Sequence, residues 1–294
     1  MINHPLLSAA EILQLLRRGR RLSLATQAAS NAQSGEQVTD GLGHGMDFAD
    51  IRAYQAGDNP RRIDWRASAR RQQTLLRLYH ADTNSPCCIV IDRQSSMRFG
   101  SQVRSKSAQA ARVAIMLAAA NMQAGNSLSA LILDNKTQWI EPSSEKSALH
   151  KFTQIVSKAS PPKKEFDGHS IDWQRISSQL QLQLSSGSSL YIVSDFLSLQ
   201  AEQALTLRQL GKMYHCHALQ IIDPMEMSLI SQTDLQLLWE TKKLNLNNNY
   251  QSLKHQQSHW QEQIETLFRR AKIEHEVIPS NLEDLLEKLQ SVKP

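Results

Sequence analysis

Asp92 closes the apolar run Cys87-Cys-Ile-Val-Ile91, with Ser95 and Ser96 close behind it. A second carboxylate, Asp195, closes the similar run Leu190-Tyr-Ile-Val-Ser194. Short apolar runs of this kind read as buried strands. In open α/β sheets, ligands gather beyond the carboxyl ends of the strands. Two carboxylates at one such edge, with hydroxyls beside them, make a hard-oxygen site of the sort that suits Mg²⁺, which takes few protein ligands and keeps its waters. A structural reading competes with this one, because Asp in these positions also caps the helix that follows. Arg93 and Arg98 bring positive charge close by. That charge disfavours a cation and offers an acidic partner side chain a direct contact.

A second cluster lies upstream. Arg52, Arg61, Arg62, Arg66, Arg70, Arg71 and Arg77 are interleaved with Tyr54, Trp65 and Tyr79. Asp50, Asp58 and Asp64 share the stretch. Arg–Asp forks with aromatic stacking build a polar scaffold within one protein. The same residue types anchor protein interfaces. Basic residues among aromatics also stack nucleic-acid bases, but the interspersed carboxylates argue against that use.

Other motifs carry less. His215 and His217 fall on one face of a strand with no third ligand in view, so an ordinary strand is the expectation. Gly41-Leu-Gly-His-Gly45 has no strand before it and the wrong spacing for a dinucleotide fingerprint. No P-loop, Gly-x-Ser-x-Gly elbow or His-Glu-x-x-His helix occurs.

The elements that must position these residues follow from periodicity. Ser8-Ala-Ala-Glu11 is a capping-box pattern with Leu7 and Ile12 set for a hydrophobic staple. The helix it starts carries Ile12, Leu15, Leu16 and Leu22 on one face and is weakened or ended at Gly19. Residues 28–45 are rich in Ser, Asn, Gln and Gly and read as a linker. From Cys87 onward strands and helices alternate. Strands are expected over 87–91, 128–133, 190–194, 214–222 and 273–278, with a return strand through Trp139 and a hairpin over 235–246. Helices are expected over 105–124, 148–157, 201–210, 248–272 and 282–289, and another around Ile171, Trp173, Ile176 and Leu180. On the helix over 248–272, Leu253, Trp260, Ile264 and Leu267 have the spacing of a core-facing stripe. Such alternation implies a mostly parallel sheet covered on both faces.

Composition sets the class. Hydrophobic content of 40% and charged content of 21% suit a globular protein, and a net charge of +5 over 294 residues does not by itself establish nucleic-acid binding. Three cysteines, Cys87, Cys88 and Cys216, form no disulfide framework and read as buried thiols in a reducing compartment. The N-terminal residues lack the apolar core of a signal peptide. The longest apolar run, 113–120, falls far short of the roughly 20 residues of a membrane span. The expectation is a cytoplasmic protein.

The segment GMDFADIRAYQAGDNPRRIDWRASAR, followed by VIDRQSSMRFGS, resembles the bacterial family called domain of unknown function 58, which contains a von Willebrand factor A-like domain. The resemblance is close over residues 43–135 and looser as far as Ile222. It implies a von Willebrand A-like α/β domain over 85–294, with a mostly parallel central sheet and helices on both faces. Residues 1–84, the N-terminal helix and the arginine-rich extension, would pack on it. It also implies an adhesion-type Mg²⁺ or Mn²⁺ site, carried over position by position. Asp92 and Ser96 match that pattern, and Gln94 stands where a serine is usual. Ser170, in Gly168-His-Ser170, replaces a threonine, and Asp195 matches the later carboxylate. The implied function is non-enzymatic: an interaction module or adaptor working beside a MoxR-type AAA+ ATPase on a client protein. Arg52, Tyr54, Asp58, Arg62, Asp64, Trp65, Arg70, Arg93 and Arg98 are the candidate partner-binding residues. The alternative is a metal-dependent hydrolase using Asp92 and Asp195.

Overall fold

A computed structural model describes residues 6–22, 48–53, 63, 65–71, 73–79, 86–134, 136–159, 171–227, 236–239, 242–245, 250–290 and 292. The chain divides into two compact units, Gln27–Ser85 and a larger one formed by Met1–Thr26 with Pro86–Pro294.

The larger unit opens with α1 (Ala9–Gly19). Its N-cap is Ser8, whose hydroxyl accepts the Glu11 N–H at 3.2 Å, one half of the capping box; the Glu11 carboxylate lies 3.2 Å from Arg112 instead. The smaller unit holds β1 (Phe48–Ala53), α2 (Trp65–Arg71) and β2 (Leu75–Tyr79). β1 and β2 pair antiparallel, and the Ser68 hydroxyl accepts the Leu75 N–H at 2.9 Å, tying α2 to β2.

The chain then enters β3 (Cys87–Asp92), a short 3-10 turn over Ser96–Arg98, and α3 (Lys106–Gln123). β4 (Leu128–Leu133), β5 (Gln138–Ser143), α4 (Lys146–Val156) and α5 (Trp173–Gln183) follow. Next come β6 (Ser189–Ser194), α6 (Ala204–Met213), β7 (His215–Ile222) and the single turn α7 (Pro224–Met227). The antiparallel hairpin β8 (Gln236–Trp239) and β9 (Lys242–Asn245) precedes α8 (Tyr250–Ala271), β10 (Glu274–Pro279) and α9 (Leu286–Gln290).

Six strands form one sheet in the order β10-β7-β6-β3-β4-β5. Neighbours are parallel except β4–β5. The central strands are buried on both faces, so they read as unbroken apolar runs. Their alternate residues feed two cores. Ile89, Ile91, Ala130, Ile132, Tyr191, Val193 and Leu219 face a layer that includes α1, α3 and α4. Val90, Leu131, Leu190, Ile192 and Ala218 face α5, α6 and α8, where Ile264 and Phe268 are fully buried and Trp260 packs at the margin.

The N-terminal helix, grouped by sequence with residues 1–84, belongs structurally to the larger unit, where it packs on α3. Arg112 of α3 helps hold it, 3.2 Å from Glu11. β5 runs further than the sequence suggested because it is a half-exposed edge strand, which tolerates Glu141 and Pro142. α9 begins four residues late. The carbonyls of Leu282 and Glu283 are engaged by Gln109 and Arg112 of α3, which fixes residues 282–285 outside the helix. Among the described residues no helix is long and apolar enough to cross a membrane.

Candidate functional site: the carboxyl edge of the sheet

Four adjacent parallel strands each deliver an aspartate to the same edge: Asp134 after β4, Asp92 at the end of β3, Asp195 after β6 and Asp223 after β7. The chain leaves β3 toward β4 on one side, and β6 lies on the other. Asp92 and Asp195 therefore flank the point where the strand order reverses, the position at which such sheets hold ligands.

Neither of these two carboxylates caps a helix. Asp92 Oδ1 accepts the Gln94 N–H at 2.9 Å, and Asp195 Oδ1 accepts the Leu197 N–H at 3.1 Å, both as local two-residue turns. Asp92 Oδ2 accepts the Ser194 hydroxyl at 2.7 Å, and Ser194 Oγ in turn accepts the Phe196 N–H at 3.0 Å. Phe196 sits at φ 57, a left-handed backbone that packing must hold. Trp173 stacks against its ring at 5.9 Å and Phe268 meets it edge-on at 5.0 Å.

The cation facing these carboxylates belongs to the chain itself. Lys106, the first residue of α3, places Nζ 2.9 Å from Asp195 Oδ2 and 2.6 Å from Glu226 Oε1, with its side chain 1% exposed. Burial pulls the Lys106 pKa down, but Asp195 and Glu226 outweigh it and leave the ammonium held above its ordinary value. Burial also lifts Glu226, and the Lys106 charge offsets only part of that. Asp92 is buried, with no ion-pair partner among the described residues. Burial first, and the Asp195 charge second, raise it to about 7 against the pull of its hydrogen bonds and of Lys106. Asp223 behaves oppositely. Burial would raise it, but the Ser101 hydroxyl and N–H, the Met225 N–H and the Ser280 hydroxyl together hold it low.

The residues present do not fit a divalent ion beside Lys106. Both Asp92 oxygens face hydrogen-bond donors, and Asp195 and Glu226 already embrace an ammonium. Among the described residues no three His, Cys, Asp or Glu side chains converge on a metal position. Gln94 and Ser96 do lie in the loop after β3, Ser96 opening the 3-10 turn. Ser170 lies outside the described residues.

Arg93 does not present a partner surface. It is 3% exposed, and its guanidinium donates to the Ile155 carbonyl at 2.7 Å and to the Lys158 carbonyl, pinning the end of α4 to the sheet. Asp134 lies 3.8 Å from its Nε and 3.5 Å from Arg98, so both arginines turn toward Asp134. Burial lowers the Arg93 pKa, with Asp134 opposing and Arg98 adding to the fall. Trp65, 70% exposed, and Arg70 do reach the surface of the smaller unit. Arg52 pairs with Leu76 in the β1–β2 ladder. Tyr54, Asp58, Arg62 and Asp64 lie outside the described residues.

Sequence reasoning missed Lys106, Glu226 and Asp223. Lys106 carried a signal: a lysine in the first turn of a helix with no acidic residue there opposes the helix dipole and needs a carboxylate to hold it. A cavity of about 260 Å³ lies elsewhere, at the amino ends of β7 and β10, lined by His217, Leu219, Glu274, His275, Glu276 and Val292.

Uncharacterized proteins of Mycobacterium bovis and of two Mycobacterium tuberculosis strains are 26% identical over 195 residues, which is 66% of this chain. The chain spans 61% of the length of these relatives. Among solved structures, it is similar to the conserved hypothetical protein BatB from Bacteroides thetaiotaomicron, with a TM-score of 0.48 and 10% identity over 71% of this chain and 96% of that one. An aerotolerance-related membrane protein from Bacteroides fragilis gives 0.45 and 11%, over 70% of this chain and 95% of that one. Residues 50–263 match the family described as protein of unknown function DUF58; that stretch is well over half of the sequence, and the chain belongs to this family.

Proposed function

We propose that the chain is a non-enzymatic protein-interaction module, an adaptor that works with a MoxR-type AAA+ ATPase in the assembly or maturation of a client protein. One observation carries this reading. The strand-end carboxylates are engaged by donors of the chain itself, and no histidine or cysteine lies in the described loops that leave that edge, residues 93–105, 134, 136–137, 195–203, 223–226 and 280–285. The described loops at this edge thus present no imidazole or thiol as base or nucleophile, which supports a binding role. The single antiparallel edge strand and the helices on both faces support a von Willebrand A-like reading of the larger unit. Exposed Trp65 and Arg70 are residue types that anchor interfaces.

The test is complex formation between the purified chain and a MoxR-type ATPase, read by light scattering after size exclusion and by ATPase rate. Trp65→Ala and Arg70→Glu are the variants. A complex weakened about tenfold or more by either substitution, with an unchanged circular-dichroism spectrum, supports the adaptor role. Failure to form a complex in any nucleotide state would remove the ATPase from the picture.

A metal-dependent hydrolase using Asp92 and Asp195 is favoured by one observation, their position either side of the strand-order reversal. It requires turnover by the purified chain without a partner, abolished by Asp92→Asn.

A further inference from the structure

We propose that Lys106 is the resident cation of the strand-end site, so that this chain holds no divalent metal there. An acidic partner group would then find no open coordination position at that edge. The geometry is specific. The Lys106 ammonium lies within hydrogen-bond distance of two carboxylates from different segments, Asp195 after β6 and Glu226 in α7. It is sealed from water, with its side chain 1% exposed. An ammonium is a compact point charge with three donors, so it can bridge two carboxylates as a small ion would.

Three features work against a second cation. Lys106 itself repels one, and at a few ångströms in a poorly screened interior that repulsion is large. The positive end of the α3 dipole sits at the same place, since Lys106 opens the helix. One lone pair on each Asp92 oxygen already receives a donor, the Gln94 N–H on Oδ1 and the Ser194 hydroxyl on Oδ2. Recognition through a bridging metal would need all three arrangements undone. The sheet keeps its acidic edge and supplies the balancing charge covalently, on the helix that follows β3.

The test uses the full chain and Mn²⁺ as the probe, with free Mn²⁺ followed by electron paramagnetic resonance. The native chain is expected to leave Mn²⁺ free, and its melting midpoint to be the same with Mn²⁺, with Mg²⁺ or with chelator. Lys106→Ser empties the volume between Asp195 and Glu226. That variant is expected to retain Mn²⁺ saturably and to melt higher in its presence, and adding Asp195→Asn should remove both effects. Stoichiometric Mn²⁺ retention by the native chain, lost in Asp92→Ala, would overturn the proposal. So would a folded Lys106→Ser that ignores Mn²⁺. If Lys106→Ser does not fold, the native measurement decides alone.

Discussion

Lys106 Nζ lies 2.9 Å from Asp195 Oδ2, and the two side chains are 1% and 4% exposed. The pair joins the start of α3 to the end of β6 beneath the solvent-facing edge. Removing one member of a buried pair strands the other charge, which costs about 3–5 kcal/mol. Lys106→Met should therefore lower stability by about that amount. Lys106→Met with Asp195→Asn should lose less than the sum of the single changes, because only the partly exposed Glu226 is then left without its cation. Urea unfolding of the double-mutant cycle reads the coupling. Strict additivity would show that the pair is not the unit of stabilisation.

His217 gives the fold an acid-sensitive limb. The imidazole is buried, stacks on Tyr191 at 5.2 Å, and has its pKa lowered from 6.5 to about 4, chiefly by burial and then by His215. Glu274 stands 3.2 Å from Nδ1 and would favour the charged ring, but its side chain is 63% exposed and water screens it, so burial wins. Below pH 6.5 the unfolded chain takes up a proton that the folded chain refuses. Stability is full above that pH, falls as pH drops toward 4, and levels off below it, by at most on the order of 3 kcal/mol. His217→Phe should flatten this limb in urea midpoints measured from neutral to acid pH. An unchanged slope would place the proton elsewhere.

What could be read from sequence followed burial. β3 and β6 were legible because a strand covered on both faces becomes a continuous apolar run, and Asp92 and Asp195 were legible because each is the charged residue that ends such a run. Their convergence is a property of strand order, which no local pattern encodes. Lys106 was overlooked because a lysine following the cap residue Ser105 reads as a solvated helix start, whereas its side chain lies under the edge. Arg93 misled for the opposite reason. It neighbours Asp92 in sequence, but successive strand residues point to opposite faces, and its guanidinium reaches α4.

Asp92 should titrate as the mirror image of an ordinary surface carboxylate. Burial and the Asp195 charge raise it from 3.8 to about 7. Between those values the folded chain keeps a proton that the unfolded chain releases, so stability declines as pH rises through that window. Asn keeps an acceptor oxygen for the Gln94 N–H and can donate its amide to Ser194 Oγ, without the charge. Asp92→Asn should therefore gain on the native chain as pH rises from about 4 to above 7, and the gap should close in acid. Melting midpoints across that range check it. A native chain that gains on the variant with rising pH would mean that Lys106, not burial, governs this carboxyl.

Gly19 provides a test of how α1 is seated. Alanine in place of an exposed helical glycine normally stabilises by up to about 1 kcal/mol. Here a Cβ at position 19 would stand 2.5 Å from the Met116 carbonyl oxygen and 2.9 Å from Ala119 Cβ. Both belong to the buried middle of α3, where little can give. Overpacking of a tight contact costs about 1–3 kcal/mol, which exceeds the gain in helix propensity. Gly19→Ala should therefore lower the melting midpoint and loosen α1 specifically. Faster amide exchange or proteolysis would be confined to the N-terminal helix while the six-stranded sheet stays protected. A stabilised variant would mean that α1 does not rest on α3 at Gly19.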